Sequence, residues 1–195
     1  MAATMTHATR REEPGQSPSV ADVVDALNGR FVGLASSVFR GQTRVVVPAG
    51  TLLPVMRLLK ERGFDLLVDI SCVDYLEYRE PPMGMAECAG RRYGLIYLLA
   101  STVTNQRLTI RVFVDDPVAD DERWPTVPSM VPLWQGADWL EREVWDLFGI
   151  RFEGHPDLRR LVMPEEFTAH PLRKDYPLQG RGERHNFPII TRENS

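Results

Sequence analysis

Apolar residues recur along the chain with two alternating periods, and each change of period marks a new element. Val20, Val23, Val24 and Leu27 follow the i, i+3, i+4, i+7 spacing of one helix face, with Ser19 placed to cap the helix and Asn28-Gly29 to end it. Phe31 to Phe39 and Thr43 to Val47 read as two strands flanking Arg40-Gly41-Gln42, a connection of hairpin length. After Thr51, a second cap candidate, Leu52, Leu53, Val55, Met56, Leu58 and Leu59 return to the helical period. Pro54 falls in the first turn of that helix, where a missing N–H costs little, and Gly63 closes it.

Phe64 to Tyr75 reads as a long strand, Glu77 to Gly90 as a loop, and Arg92 to Ser101 and Arg107 to Val114 as two strands joined by Thr102 to Gln106. Asp115 to Pro125 reads as a loop, and Thr126 as the cap of a short helical segment through Leu133. A further helix spans Gly136 to Phe148, with an apolar stripe of Leu140, Val144, Leu147 and Phe148, and Gly149 ends it. Strands in runs with helices outside them predict an α+β fold: a largely antiparallel mixed sheet with helices packed on one face. A doubly wound nucleotide fold would alternate strands and helices and carry G-x-G-x-x-G; neither feature is present.

This pattern divides the chain in three. Residues 1–18 are polar without a hydrophobic period and are expected to be disordered. Residues 19–149 form the domain. Residues 150–195 lack a sustained period yet carry Phe152, Leu161, Phe167, Tyr176 and Ile189, so the extended arm is expected to bury these side chains against a partner.

Composition narrows the function. A net charge of −4 argues against non-specific nucleic-acid binding. No apolar run approaches the roughly 18 residues of a membrane span, and no secretory signal is visible, so a cytosolic location or attachment through partners is expected. Lys60 and Lys174 are the only lysines among 23 basic residues. GC-rich codon usage would produce that skew, and so would a need for bidentate ion pairs at interfaces.

Candidate chemistry concentrates in Trp139-Leu140-Glu141-Arg142-Glu143-Val144-Trp145-Asp146. Asp138 with Arg142 and Arg142 with Asp146 are i, i+4 pairs, and Trp139, Glu143 and Asp146 share a face apart from the apolar stripe. Crowded carboxylates could serve acid/base catalysis, but buried structural ion pairs are the favoured reading. His155, His170 and His185 lack the companions of a metal site and read as turn residues. Cys72 and Cys88 fit neither a structural disulfide nor an iron–sulfur cluster. No P-loop or G-x-S-x-G elbow is present. The residues thus describe a cofactor-free α+β domain with a docking arm, an assembly component.

Glu141 through Ile150, with Glu141, Arg142, Glu143, Asp146, Phe148 and Gly149, followed by Gly154 to Leu161 with His155, Arg159 and Arg160, resembles a family signature. The family is the thirty-kilodalton subunit of respiratory complex I, the C subunit of bacterial NADH-quinone oxidoreductase. His170 through Pro177, including Arg173, Lys174, Asp175 and Tyr176, resembles its C-terminal motif, and Asp69, Ser71, Val73 and Asp74 agree near the end of the long strand. The resemblance implies a cofactor-free component of the peripheral arm, with FMN and Fe-S clusters held by partner subunits and electrons passing from NADH to quinone. It also implies contact with the forty-nine-kilodalton D subunit, docked through His170, Arg173, Lys174, Asp175 and Tyr176, no catalytic residue in this chain, and a peripheral position on the cytoplasmic side of the inner membrane. Two alternatives remain at this stage. One is a homologous subunit of a membrane-bound hydrogenase, formate hydrogenlyase or F420H2 dehydrogenase; the other is a free-standing enzyme using Glu141, Glu143 and Asp146.

Overall fold

The structure is a computed structural model that describes residues 18–78, 91–117 and 124–183. The expectations for residues 1–17, for most of the Glu77 to Gly90 loop, and for Cys88 and His185 lie outside the described residues. The first helix, α1 (Val20–Arg30), is capped as its sequence requires: the Ser19 hydroxyl accepts from the Asp22 N–H while the Asp22 carboxylate accepts from the Ser19 N–H. Strands β1 (Ala35–Phe39) and β2 (Gln42–Val46) form a hairpin whose turn is only two residues long, Arg40 and Gly41, both at positive φ. The first strand thus begins at Ala35, later than its periodicity suggests.

Helix α2 (Leu52–Glu61) follows a single 3-10 turn, Ala49–Thr51. Thr51 does not cap it through its side chain; its hydroxyl donates backward to the Pro48 carbonyl, stabilising the 3-10 turn. Strands β3 (Leu66–Asp74), β4 (Tyr93–Ala100) and β5 (Arg107–Val114) complete a five-stranded sheet in the order β1-β2-β5-β4-β3. All pairings are antiparallel except β2 with β5, so the sheet is mixed, as expected. Val23 and Leu27 of α1, Val55, Met56 and Leu59 of α2, and Ile70, Tyr97, Ile110 and Val112 of the strands share one buried core.

The segment after residue 125 departs from the periodicity. Thr126 does not begin a helix: β6 (Thr126–Pro128) pairs in parallel with β7 (Arg151–Glu153), and turns follow through Leu133. A three-residue strand carries too few positions to show an alternation, and Pro128 in a helix-like context misleads. The stretch beyond 149 therefore opens with a strand, and Ile150 and Phe152 are core residues. Helix α3 (Ala137–Phe148) ends at Gly149 in the left-handed conformation. Its charged residues are buried, as the favoured reading expects, but the apolar stripe is not the most enclosed side: Glu141, Arg142 and Asp146 are buried with Val144, whereas Leu140, Leu147 and Phe148 are half-buried and Trp139 and Glu143 are exposed.

Candidate functional site

The inward charges of α3 grip the chain that follows it. One Asp146 carboxylate oxygen accepts from three successive main-chain N–H groups, Leu161 at 3.0 Å, Val162 at 2.7 Å and Met163 at 2.8 Å. The other accepts from Arg160, whose guanidinium also reaches the Ala169 carbonyl at 3.1 Å. Burial alone would raise the Asp146 carboxyl, but the three N–H donors and Arg160 outweigh it and hold the group below its ordinary range. One turn earlier, Arg142 donates to the carbonyls of Arg159 at 3.2 Å and Arg160 at 3.1 Å. The i, i+4 pairs of Arg142 with Asp138 and Asp146 are thus replaced by longer-range bonds, because an irregular segment has main-chain groups to satisfy and a helix face does not.

A helix leaves its last four carbonyls without internal partners. On α3 each finds one. Gly149 N–H donates to Trp145, His170 Nδ1 to Asp146 at 2.9 Å, Leu172 N–H to Leu147 at 3.0 Å and Arg173 Nε to Phe148 at 2.7 Å. The Arg173 cation at this negative helix end is favourable. Burial pushes His170 below its ordinary value, so the ring is neutral with its proton on Nδ1, as an accepting carbonyl requires. Its ring packs edge-on against Trp124 and Trp145, at 5.3 and 5.4 Å between centroids, and the Arg173 guanidinium lies 5.5 Å from the Tyr93 ring and 5.6 Å from Trp124.

A second anchor sits at the end of β3. The Asp74 carboxylate accepts from the Lys174 N–H at 2.8 Å, from Leu76 N–H at 3.0 Å and from Arg92 through Nε and Nη2 at 3.2 and 3.0 Å. Burial raises Asp74, and these donors lower it by more, leaving it below the ordinary range. Arg92 also pairs with Asp116 and, at 3.0 Å, with Asp175. Farther along, the Tyr176 hydroxyl donates to Glu183 at 2.8 Å and its ring meets Phe167 at 5.8 Å.

The remaining expected residues lie apart. Glu141 is fully buried, accepting from Ser129 Oγ at 2.7 Å and from the Met130 N–H, and it pins the turn after β6. Burial pushes its carboxyl up to about 7, more than those two donors lower it. His155, its side chain enclosed, holds Asp138 at 3.1 Å and accepts from the Asp157 N–H at 3.0 Å, a turn role as read from the sequence. Arg159 and Asp157 form an exposed pair. Glu143 faces outward, so the three carboxylates of the acid/base reading do not converge on one site. Among the described residues no group of His, Cys, Asp and Glu side chains could hold a metal ion. Cys72 is a buried thiol pushed up by its burial.

Sequence reasoning missed Arg92, Asp116, Trp124 and Ser129. One signal was available: Gly94 interrupts an otherwise bulky strand, and a Cβ there would lie 2.7 Å from the Tyr75 ring and 2.9 Å from Phe113. That close approach marks the crowded strand end on which Arg92 and Tyr93 stand.

Residues 45–182 match the family described as the 30 kDa subunit of respiratory-chain NADH dehydrogenase. The C subunits of NADH-quinone oxidoreductase from Burkholderia mallei and Burkholderia pseudomallei are each 41% identical over 163 residues, spanning 82% of this chain and 76% of theirs. A solved trypsin-resistant fragment of Nqo5 is 34% identical, covers 71% of this chain and 98% of its own, and superposes with a TM-score of 0.59. A chain of the membrane-bound sulfane sulfur reductase, an archaeal respiratory membrane complex, shares the fold at 20% identity with a TM-score of 0.66, covering 88% of this chain and 93% of that one.

Proposed function

The chain belongs to the family of 30 kDa subunits of respiratory-chain NADH dehydrogenases, the C subunits of NADH-quinone oxidoreductase, and we propose that its part in that oxidoreductase is structural. On this reading the chemistry belongs to other chains: FMN and Fe-S clusters sit in partner subunits, and this chain supplies no catalytic group. It lies in the peripheral arm on the cytoplasmic side of the membrane, against the forty-nine-kilodalton D subunit. No helix among the described residues is long and apolar enough to cross a membrane, which fits attachment through partners.

The observation that carries the reading is the double anchoring of residues 159–175. Asp146 and the end of α3 hold one side of this segment and Asp74 with Arg92 the other, so a stretch without its own secondary structure acquires a fixed shape. Its outward side still exposes Val162, Leu172 and the solvated Arg159, and just past the anchored stretch Leu178 is completely exposed. Apolar side chains displayed on a rigid surface with charges at the margin suit a protein partner. The buried carboxylates, by contrast, are enclosed by donors and are closed to a substrate. A hydrogenase-type assembly is the alternative reading; 41% identity to NADH-quinone oxidoreductase chains favours the NADH-linked complex, while the 20% likeness to a sulfane sulfur reductase chain speaks for the fold alone.

Substitutions on the outward side test the reading. Leu178→Asp, or Arg159→Ala with it, is expected to lower the amount of assembled complex on a native gel several-fold. The melting temperature of the chain and the turnover per assembled complex should both stay unchanged. Full assembly accompanied by reduced turnover would contradict a structural role.

A further inference from the structure

The first strand of the sheet is left open. β1 is the outermost strand and pairs on one side only, with β2. Outer strands ordinarily carry a lysine, a proline, a bulge or a covering element that prevents another strand from adding. Ala35-Ser36-Ser37-Val38-Phe39 has no charge and no proline, and its register with β2 runs unbroken from Ala35 opposite Val46 to Phe39 opposite Gln42. Ser36, Ser37, Val38 and Phe39 are all exposed, and among the described residues no element covers either face of the strand or its edge. In a two-residue hairpin Phe39 and Gln42 form the closing hydrogen-bonded pair; the antiparallel alternation then turns the N–H and C=O of Val38 and Ser36 outward.

The surroundings of this edge indicate what it receives. Val32 is 92% exposed, Val38 71% and Phe39 51%. Arg40 and Arg44 stack on the Phe39 ring at 5.3 and 4.4 Å, and Arg30 lies over Phe31 at 5.9 Å. None of these three guanidiniums forms an ion pair with a described carboxylate, although the chain carries a net charge of −4 and Arg92 and Arg160 elsewhere are fully engaged. Cations over aromatic rings, without a described carboxylate partner and beside outward main-chain donors and acceptors, match an extended peptide bearing carboxylates. We infer that β1 takes up an extended, acidic segment of a neighbouring protein chain as a sixth strand, bonded to Ser36 and Val38, with its carboxylates against Arg40 and Arg44.

The inference rests on the reading of this protein as a subunit, and its test separates the two. Amide hydrogen exchange is measured on the full chain alone and on the complex purified through it from native membranes. The Ser36 and Val38 amides are expected to slow at least tenfold in the complex. Val38→Pro removes only an outward N–H, and it should lower the yield of complex several-fold relative to Val38→Ala; Arg40→Glu with Arg44→Glu should do the same. Recovery of the complex with unchanged exchange at both amides overturns this inference alone. Protection already present in the isolated chain, together with elution as a dimer, would also overturn it, by assigning the edge to a second copy. Recovery of the chain with no other subunit would overturn the subunit reading and this inference together.

Discussion

Asp146 and Glu141 stand on the same helix, both without exposed surface, and their environments drive them in opposite directions. Asp146 has a guanidinium and three N–H groups; Glu141 has a hydroxyl and one N–H and no cation. Asp146→Asn would turn an amide donor toward groups that can only donate, and should cost about 2–4 kcal/mol in chemical denaturation. For Asp146 and Asp74, lowered in the fold, the stabilisation is present above the ordinary carboxylate range and is lost as pH falls through it and below. Glu141 has the opposite sign: the folded state binds its proton more tightly than the unfolded chain, so stability falls as pH rises from about 4.5 to about 7. Glu141→Gln keeps an acceptor for Met130 and removes that loss. Its stability relative to the parent should rise by about 2–3 kcal/mol between pH 4.5 and 7, read from denaturation curves across the range.

At the scale of elements, the end of α3 decides where the following chain goes. Gly149 has φ 74°, and a Cβ there would sit 2.6 Å from His170 Cδ2 and 2.9 Å from an Arg173 nitrogen. Gly149→Ala therefore both strains the backbone and pushes out the residues that satisfy the α3 carbonyls. A loss of about 2–4 kcal/mol is expected, together with faster proteolysis within residues 159–175. The Gly149 ending was legible in the sequence, because glycine after a helical period is a strong local signal. So were α1, the β1–β2 hairpin and the succession of β3, β4 and β5, each long enough to show its period. The inward face of α3 was not. An apolar stripe identifies the buried side only when polar residues lack partners, and here Arg142 and Asp146 find theirs as far along the chain as Arg159 and Met163. β6 and β7 were hidden for a similar reason, since their pairing brings Thr126 to Arg151 across the whole of α3.

Across the whole molecule, the C-terminal segment is an integral layer of the domain as far as residue 176, and its outward side is what remains for other chains. The Phe, Leu and Tyr content of this segment showed that it must be buried against something, but composition cannot distinguish its own domain from a partner. His170 and Arg173, expected at a docking surface, are engaged at the end of α3, and the Lys174 main chain and Asp175 are tied to Asp74 and Arg92. Arg159, Val162 and Leu172 are exposed on this segment, and Leu178 just past it is fully exposed. The two surfaces proposed to meet neighbouring chains, this anchored segment and the β1 edge, are both supported by a core whose buried carboxylates are occupied by their own donors. The decisive experiment is purification of the tagged full-length chain from gently solubilised native membranes, with the eluate assayed for NADH-dependent quinone reduction and for flavin and iron–sulfur spectra. Co-elution of the flavin- and cluster-bearing chains with that activity is the expected result; elution of the chain alone, or with a nickel–iron hydrogenase and no response to NADH, would contradict it.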